Sequence, residues 1–276
     1  MAKPGDLAWP LLAAALWGGM YVVSRLTFDT IPPITLGLLR LLVGVAVLAL
    51  ALRRLPLLRD PRVAGLGALL AATLMLQFWG TALAGAAAGS LLTLLTPVFV
   101  ALLAPWLLAE VTRAHQWAGI GVALAGAAVV SGGAAGASLW GDLLLVGASL
   151  TWGAYTVVGA PLVRRLGALE ITTGASMWAV PLMLPGTALE LASGRHLAFT
   201  AGGVLGVLYL GVFATALAWW AWYRGVERLP AVTTSVFFLA QPVVGIALSI
   251  PIFHLALSAG FVVGSVLIVL GMLLAS

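Results

Sequence analysis

Apolar residues fall in long runs, broken by short polar or proline-containing connections. Ten runs cover 7–28, 33–52, 63–83, 88–108, 115–132, 141–163, 170–191, 201–223, 230–250 and 257–275. A bilayer core about 30 Å thick needs about 20 apolar residues per helix, so each run predicts a membrane-spanning helix. Pro32-Pro33 separates the first two runs, and Arg53, Arg54, Pro56, Arg59, Asp60, Pro61 and Arg62 the next two. Glu110 and Arg113, the small-residue stretch 132–136, Pro161 to Gly167, and Glu227 to Pro230 mark further breaks. Between 78 and 92 the third and fourth runs nearly merge, and only Gly85 and Gly89 suggest a turn. The first run has one Lys before it and no small-residue cleavage site behind it. It predicts a retained helix rather than a signal peptide.

The pattern occurs twice. At an offset of 145, Gly80, Ala86, Ser90, Leu94, Pro97, Val98 and Leu103 meet Gly225, Ala231, Ser235, Leu239, Pro242, Val243 and Leu248. The same offset carries Gly119 onto Gly264 and Gly126 onto Gly271. The chain therefore divides into five-helix repeats at 1–133 and 134–276. Five is odd, so homologous halves must cross the membrane in opposite senses. The predicted fold is an all-α integral membrane domain of ten transmembrane helices, an inverted 5+5 repeat, which is a transporter architecture.

Composition narrows the picture further. Apolar residues make up 63% and charged residues 8% of 276, against about half and a quarter in a soluble domain. Most of the surface must face lipid. With no cysteine, neither a disulfide framework nor a thiolate metal site can form. The +5 net charge is spread over the connections, so it does not predict nucleic-acid binding. Sorting loops by side places Lys3, Arg53, Arg54, Arg59, Arg62, Arg113, Arg164, Arg165, Arg224 and Arg228 together, against Arg195 alone. That bias predicts both termini in the cytoplasm.

These features are similar to those of the drug/metabolite transporter superfamily, and within it to the EamA-type permeases. The resemblance rests on the 5+5 helices, Trp17-Gly18 and Trp152-Gly153, the Pro97 and Pro242 helices, and the glycine-spaced closing helices. It implies an inner-membrane metabolite or amino-acid exporter, working on a small molecule. Such permeases often place a Gly-Glu pair after the fourth helix of each half. Here the first half has Ala109-Glu110, and the matching second-half position is Leu255, after His254.

Candidate site residues lie at mid-helix. Pro97 and Pro242 are paired helix breaks, and paired breaks point to a transport site; the alternative is that they only shape packing. Thr93, Thr96 and Gln241 lie beside them. Trp17 with Tyr21, and Trp152 with Tyr155, form aromatic pairs on symmetric helices, and Trp178 is central in the seventh run. They either line a cavity or fill a core. Arg40, inside the second run, either holds a substrate carboxylate or binds helix carbonyls at a bundle joint. Arg25 and Asp29 form a local pair. All eight acids and all three histidines fall at helix ends or in loops, so no mid-membrane group relays protons. This disfavours a proton-antiport drug pump. The expectation is an exporter of amino acids, aromatic ones included, by alternating access. It would be a monomer in the bilayer, without cofactor, metal or nucleic acid. Efflux of another amphipathic metabolite or drug is the alternative. A membrane enzyme would need a catalytic cluster, and a channel would need a polar stripe; the sequence carries neither.

Overall fold

The computed structural model describes residues 4–54, 56–130, 138–245, 247 and 259–275. The 132–136 stretch, His254 and Leu255, and the termini at Lys3 and Ser276 lie outside them. The described residues form ten helical rods. α1 is Pro4–Gly18 continued by Met20–Thr27, with a break at Gly19. α2 is Pro33–Leu52 and α3 is Pro61–Ala84. α4 runs from Ala86 through a 3₁₀ turn at Thr93–Leu95 to Leu107. α5 is Ala114–Val130, α6 is Leu139–Leu166 and α7 is Ala168–Ala192. α8 runs from Ala201 to Arg228 with a π-turn at Val212–Leu217. α9 spans Ala231–Gly245 with a 3₁₀ turn at Phe237–Ala240, and α10 is Ala259–Ala275. Six of these rods are long and apolar enough to cross a membrane.

Local chemistry sets the boundaries. Pro33 and Pro61 open their helices, where the missing N–H costs nothing. The Asp60 side chain caps α3 by accepting from Arg62 N. Gly85, at φ +94°, turns the chain from α3 into α4, a backbone that favours glycine. Pro97 and Pro242 each follow a 3₁₀ turn rather than interrupting a regular helix. The carbonyl that Pro97 leaves free, that of Thr93, accepts from the Thr96 backbone N–H and from Thr96 Oγ1 at 2.8 Å. In α9 the carbonyl of Phe238 accepts from Gln241 N–H in the same way.

Packing relates the halves crosswise. A Cβ on Gly119 of α5 would lie 2.5 Å from the Gly271 carbonyl of α10, and one on Gly126 would lie 2.7 Å from the Gly264 carbonyl. Under the repeat these two contacts exchange, as in a two-fold interface. Gly18 of α1 abuts Val244 and Gly245 of α9, while Gly153 of α6 abuts Phe99 and Val100 of α4. These are again matching positions.

Bonded carboxylates mark two ends of the bundle. At one, which we call the basic face, Arg54 meets Glu170 at 2.6 Å, Arg164 meets Glu110 at 2.8 Å, and Arg228 meets Asp6 at 3.0 Å. At the far face, Glu190 of α7 accepts from Ile34 N, Thr35 N and Thr35 Oγ1 at 2.7–3.0 Å. A carboxylate is favoured at a helix start. Glu170 and Glu190 thus clamp α7 antiparallel to α2.

Candidate functional site

At mid-bundle α1, α2, α3, α4, α6, α8 and α9 enclose a cavity of about 30 Å³. That is room for a couple of waters, not for an amino acid, so admitting a solute requires the helices to part. Trp17, Arg40, Thr93, Thr96 and Trp152 line it, together with Met20, Thr73, Leu74, Gln77, Ala148, Ser149, Trp219 and Phe238.

Three groups of residues build the walls. The aromatic side is a cluster around Trp17, which packs on Trp152, Trp222 and Phe238 with centroids 5.3–5.5 Å apart. From there Trp152 stacks on Tyr155, and Tyr155 on Tyr223, towards the basic face. Tyr223 donates to the Tyr155 carbonyl at 2.8 Å, and Trp222 to Thr156 Oγ1 at 3.0 Å. This is a thick, dry seal. The polar side is a chain in which Gln77 Nε2 donates to Tyr21 OH at 2.8 Å, and Tyr21 OH pairs with Thr93 Oγ1 at 2.6 Å. Beyond this chain, towards the turn after Phe28, lies a second pocket of about 10 Å³ lined by Tyr21, Ser24, Gln77 and Thr81 among others. The seal on that side is thin by comparison.

The third group is Arg40, 1% exposed. Its Nε donates to Thr215 Oγ1 at 2.7 Å and its Nη2 to the Ala214 carbonyl at 2.8 Å. The guanidinium lies 5.4 Å from the Phe78 ring and 5.6 Å from that of Trp219. Of the two readings of Arg40, the bond to a helix carbonyl is what the structure contains. Arg40 binds this carbonyl at a joint, and it faces the cavity. No carboxylate lines that cavity among the described residues. Burying a charge without a partner ion is costly.

Other predicted residues fall elsewhere. Trp178 is 37% exposed, its ring reaching past Gly67 of α3 so that Nε1 donates to the Leu58 carbonyl at 3.0 Å. It is outside the cavity: its depth along α7 is central, but its side chain leaves the bundle. Tyr155 is fully buried in the aromatic seal behind Trp152. Gln241 is buried, with its amide beside the Tyr21 hydroxyl. Among the described residues the Trp152 indole N–H has no hydrogen-bond partner, and Trp152 borders the cavity. Pro97 directly follows the lining residue Thr96 and Pro242 comes four residues after the lining residue Phe238, and neither lines the cavity itself. Arg25 and Asp29 pair at 3.1 Å, exposed. Thr73, Gln77, Ser149 and Trp219 come into the site unannounced.

An all-helical bundle with apolar rods long enough to cross a membrane and a buried arginine at its central cavity fits a membrane transporter. The comparisons place it more narrowly. The EamA-like transporter family model matches residues 5–132 and 139–276, and the chain belongs to that family. It is 33% identical to a probable terminal-alkyne amino-acid exporter of Streptantibioticus cattleyicolor, over 87% of this chain and 84% of that one. It is 28% identical to the uncharacterised transporter YetK of Bacillus subtilis, over 86% and 76%. It is 29% identical to the uncharacterised inner membrane transporter YedA of Escherichia coli, over 84% and 78%. A crystal structure of a protein 24% identical superposes with a TM-score of 0.81, covering 100% of this chain and 97% of that one. That likeness is one of fold.

Proposed function

We propose that this protein is a monomeric inner-membrane exporter of amino acids, aromatic ones included. In this reading its ten helices all span the bilayer as an inverted 5+5 repeat, with the basic face and both termini in the cytoplasm. Alternating access follows from the exchange symmetry, because a cavity at the meeting of two inverted halves can open to either side. The observation that carries the substrate class is the cavity itself, which sets a buried arginine without a carboxylate partner against an aromatic wall. An amino acid brings the missing carboxylate, and its side chain suits the aromatic rings. The exporter named among the relatives supports the same class.

The test is counterflow in proteoliposomes loaded with unlabelled amino acids, following uptake of labelled phenylalanine and leucine. Saturable exchange that Arg40→Gln abolishes is the expected result. Absence of exchange for every amino acid, with exchange of an amphipathic amine instead, overturns the amino-acid reading.

A further inference from the structure

The π-turn of α8 explains how Arg40 is held. Such turns open the hydrogen-bond ladder and collect at functional sites. Here the Ala214 carbonyl accepts from two other helices at once, from Trp17 Nε1 at 2.9 Å and from Arg40 Nη2 at 2.8 Å. Thr215 Oγ1 donates its single proton to the Leu210 carbonyl, five residues back, at 2.7 Å. Only its lone pairs are left to face Arg40 Nε. Gly44, one turn beyond Arg40 on α2, makes the approach possible: a Cβ there would come 2.5 Å from Thr215 Cγ2. The Phe78 and Trp219 rings lie beside the guanidinium, with its carbon over each ring.

Nε and Nη2 of the guanidinium are thus occupied by protein. Among the described residues Nη1 meets the Met20 sulfur alone, at 3.1 Å, and a thioether is a weak acceptor. Met20 also lines the cavity, immediately after the break in α1. We propose that the π-turn is the positioning element of a carboxylate site. Thr215 and Ala214 hold Arg40 by its Nε edge, and the Nη1 side takes the carboxylate of the transported solute in place of the Met20 sulfur. The site rests on the transport reading but not on the solute being an amino acid. Thr215 acts through Arg40 and is a positioning residue.

The test uses the full-length protein purified in detergent and four probes: L-phenylalanine, L-phenylalaninamide, 3-phenylpropionate and phenethylamine. Binding is measured by calorimetry for the wild type, Thr215→Val and Thr215→Ser. The two acids are expected to bind and the two carboxylate-free probes to bind at least tenfold more weakly. Thr215→Val should weaken the acids about tenfold, as loss of a charge-assisted bond does, and Thr215→Ser should restore them. A merely structural role would lower thermal stability while leaving the acid-to-amide ratio unchanged, and that result overturns the proposal. So does equal binding of acids and amines, or no binding of either acid, by the wild type; this comparison stands even if Thr215→Val fails to fold. If 3-phenylpropionate binds in a Thr215-dependent way and phenylalanine does not, the carboxylate site stands and the amino-acid reading falls.

Discussion

Two tryptophans that the sequence presents as equivalents have different hydrogen-bonding states, and that difference is measurable. The Trp17 indole N–H is committed to Ala214, whereas that of Trp152 is unpartnered at the cavity wall. Trp17→Phe should therefore cost about 1 kcal/mol for the lost bond plus a packing loss, seen as a lower melting temperature. Trp152→Phe should cost the packing loss alone, because its ring is buried against Trp17, Tyr155 and Trp222, and should depress transport as the solute loses that N–H. A large stability loss for Trp152→Phe with normal transport would make it plain core. The sequence drew attention to Trp17, Trp152 and Arg40 because large or charged residues at mid-membrane depth need partners. It placed Trp178 wrongly because depth along a helix does not say which way a side chain leaves it. Gln77 and Ser149 carried no signal, since one amide or hydroxyl in an apolar run is also compatible with bonding to its own helix.

Helices were the most legible level. Runs of apolar residues and their proline, glycine and arginine punctuation predict the described helix ends to within a few residues. Even the doubtful turn at Gly85 is where α3 ends. What the runs could not convey is irregularity inside a helix. The stretch from Val212 to Leu217 is an ordinary apolar hexapeptide, and its π geometry is settled by the partners that α1 and α2 bring to it. The glycine pairs at the α5–α10 crossing were legible as a repeat but not as a contact. Gly119→Val and Gly271→Val each drive a side chain into the opposite backbone. Each should cost about 1–3 kcal/mol, as overpacking does. Because one widening of the crossing relieves both clashes, the double variant should cost less than the sum. Additive melting-temperature losses would mean that the two positions do not share one contact.

At the scale of the whole molecule the absence of cysteine makes topology easy to read, since any introduced thiol is the sole label site. Under the proposed orientation, cysteine at Arg53 should react only from the cytoplasm and cysteine at Arg195 only from outside; the reverse pattern would sink the orientation. Among the described residues no acid lines the cavity, so transport down a substrate gradient should persist when a proton gradient is collapsed. One fastening at the basic face has no counterpart in the sequence of the second half. Glu110 joins Arg164 to the first N–H of α9, accepting from Ala231 N at 2.8 Å, while Arg164 also donates to the Leu229 carbonyl at 3.2 Å. The repeat offset puts Leu255 where a matching acid would stand. A part-exposed ion pair and a helix cap are each worth about 1 kcal/mol or less. Under the proposed alternating access, opening the basic face breaks both contacts, which would weight the resting population several-fold towards closure there. A solute arriving from the far side would then meet a receptive population, while one arriving from the basic face would meet a small fraction and bind correspondingly more weakly. Glu110→Gln should shrink that difference in half-saturation between right-side-out and inverted vesicles while leaving maximal exchange intact, so a latch with no part in chemistry would still set which side the carrier waits on.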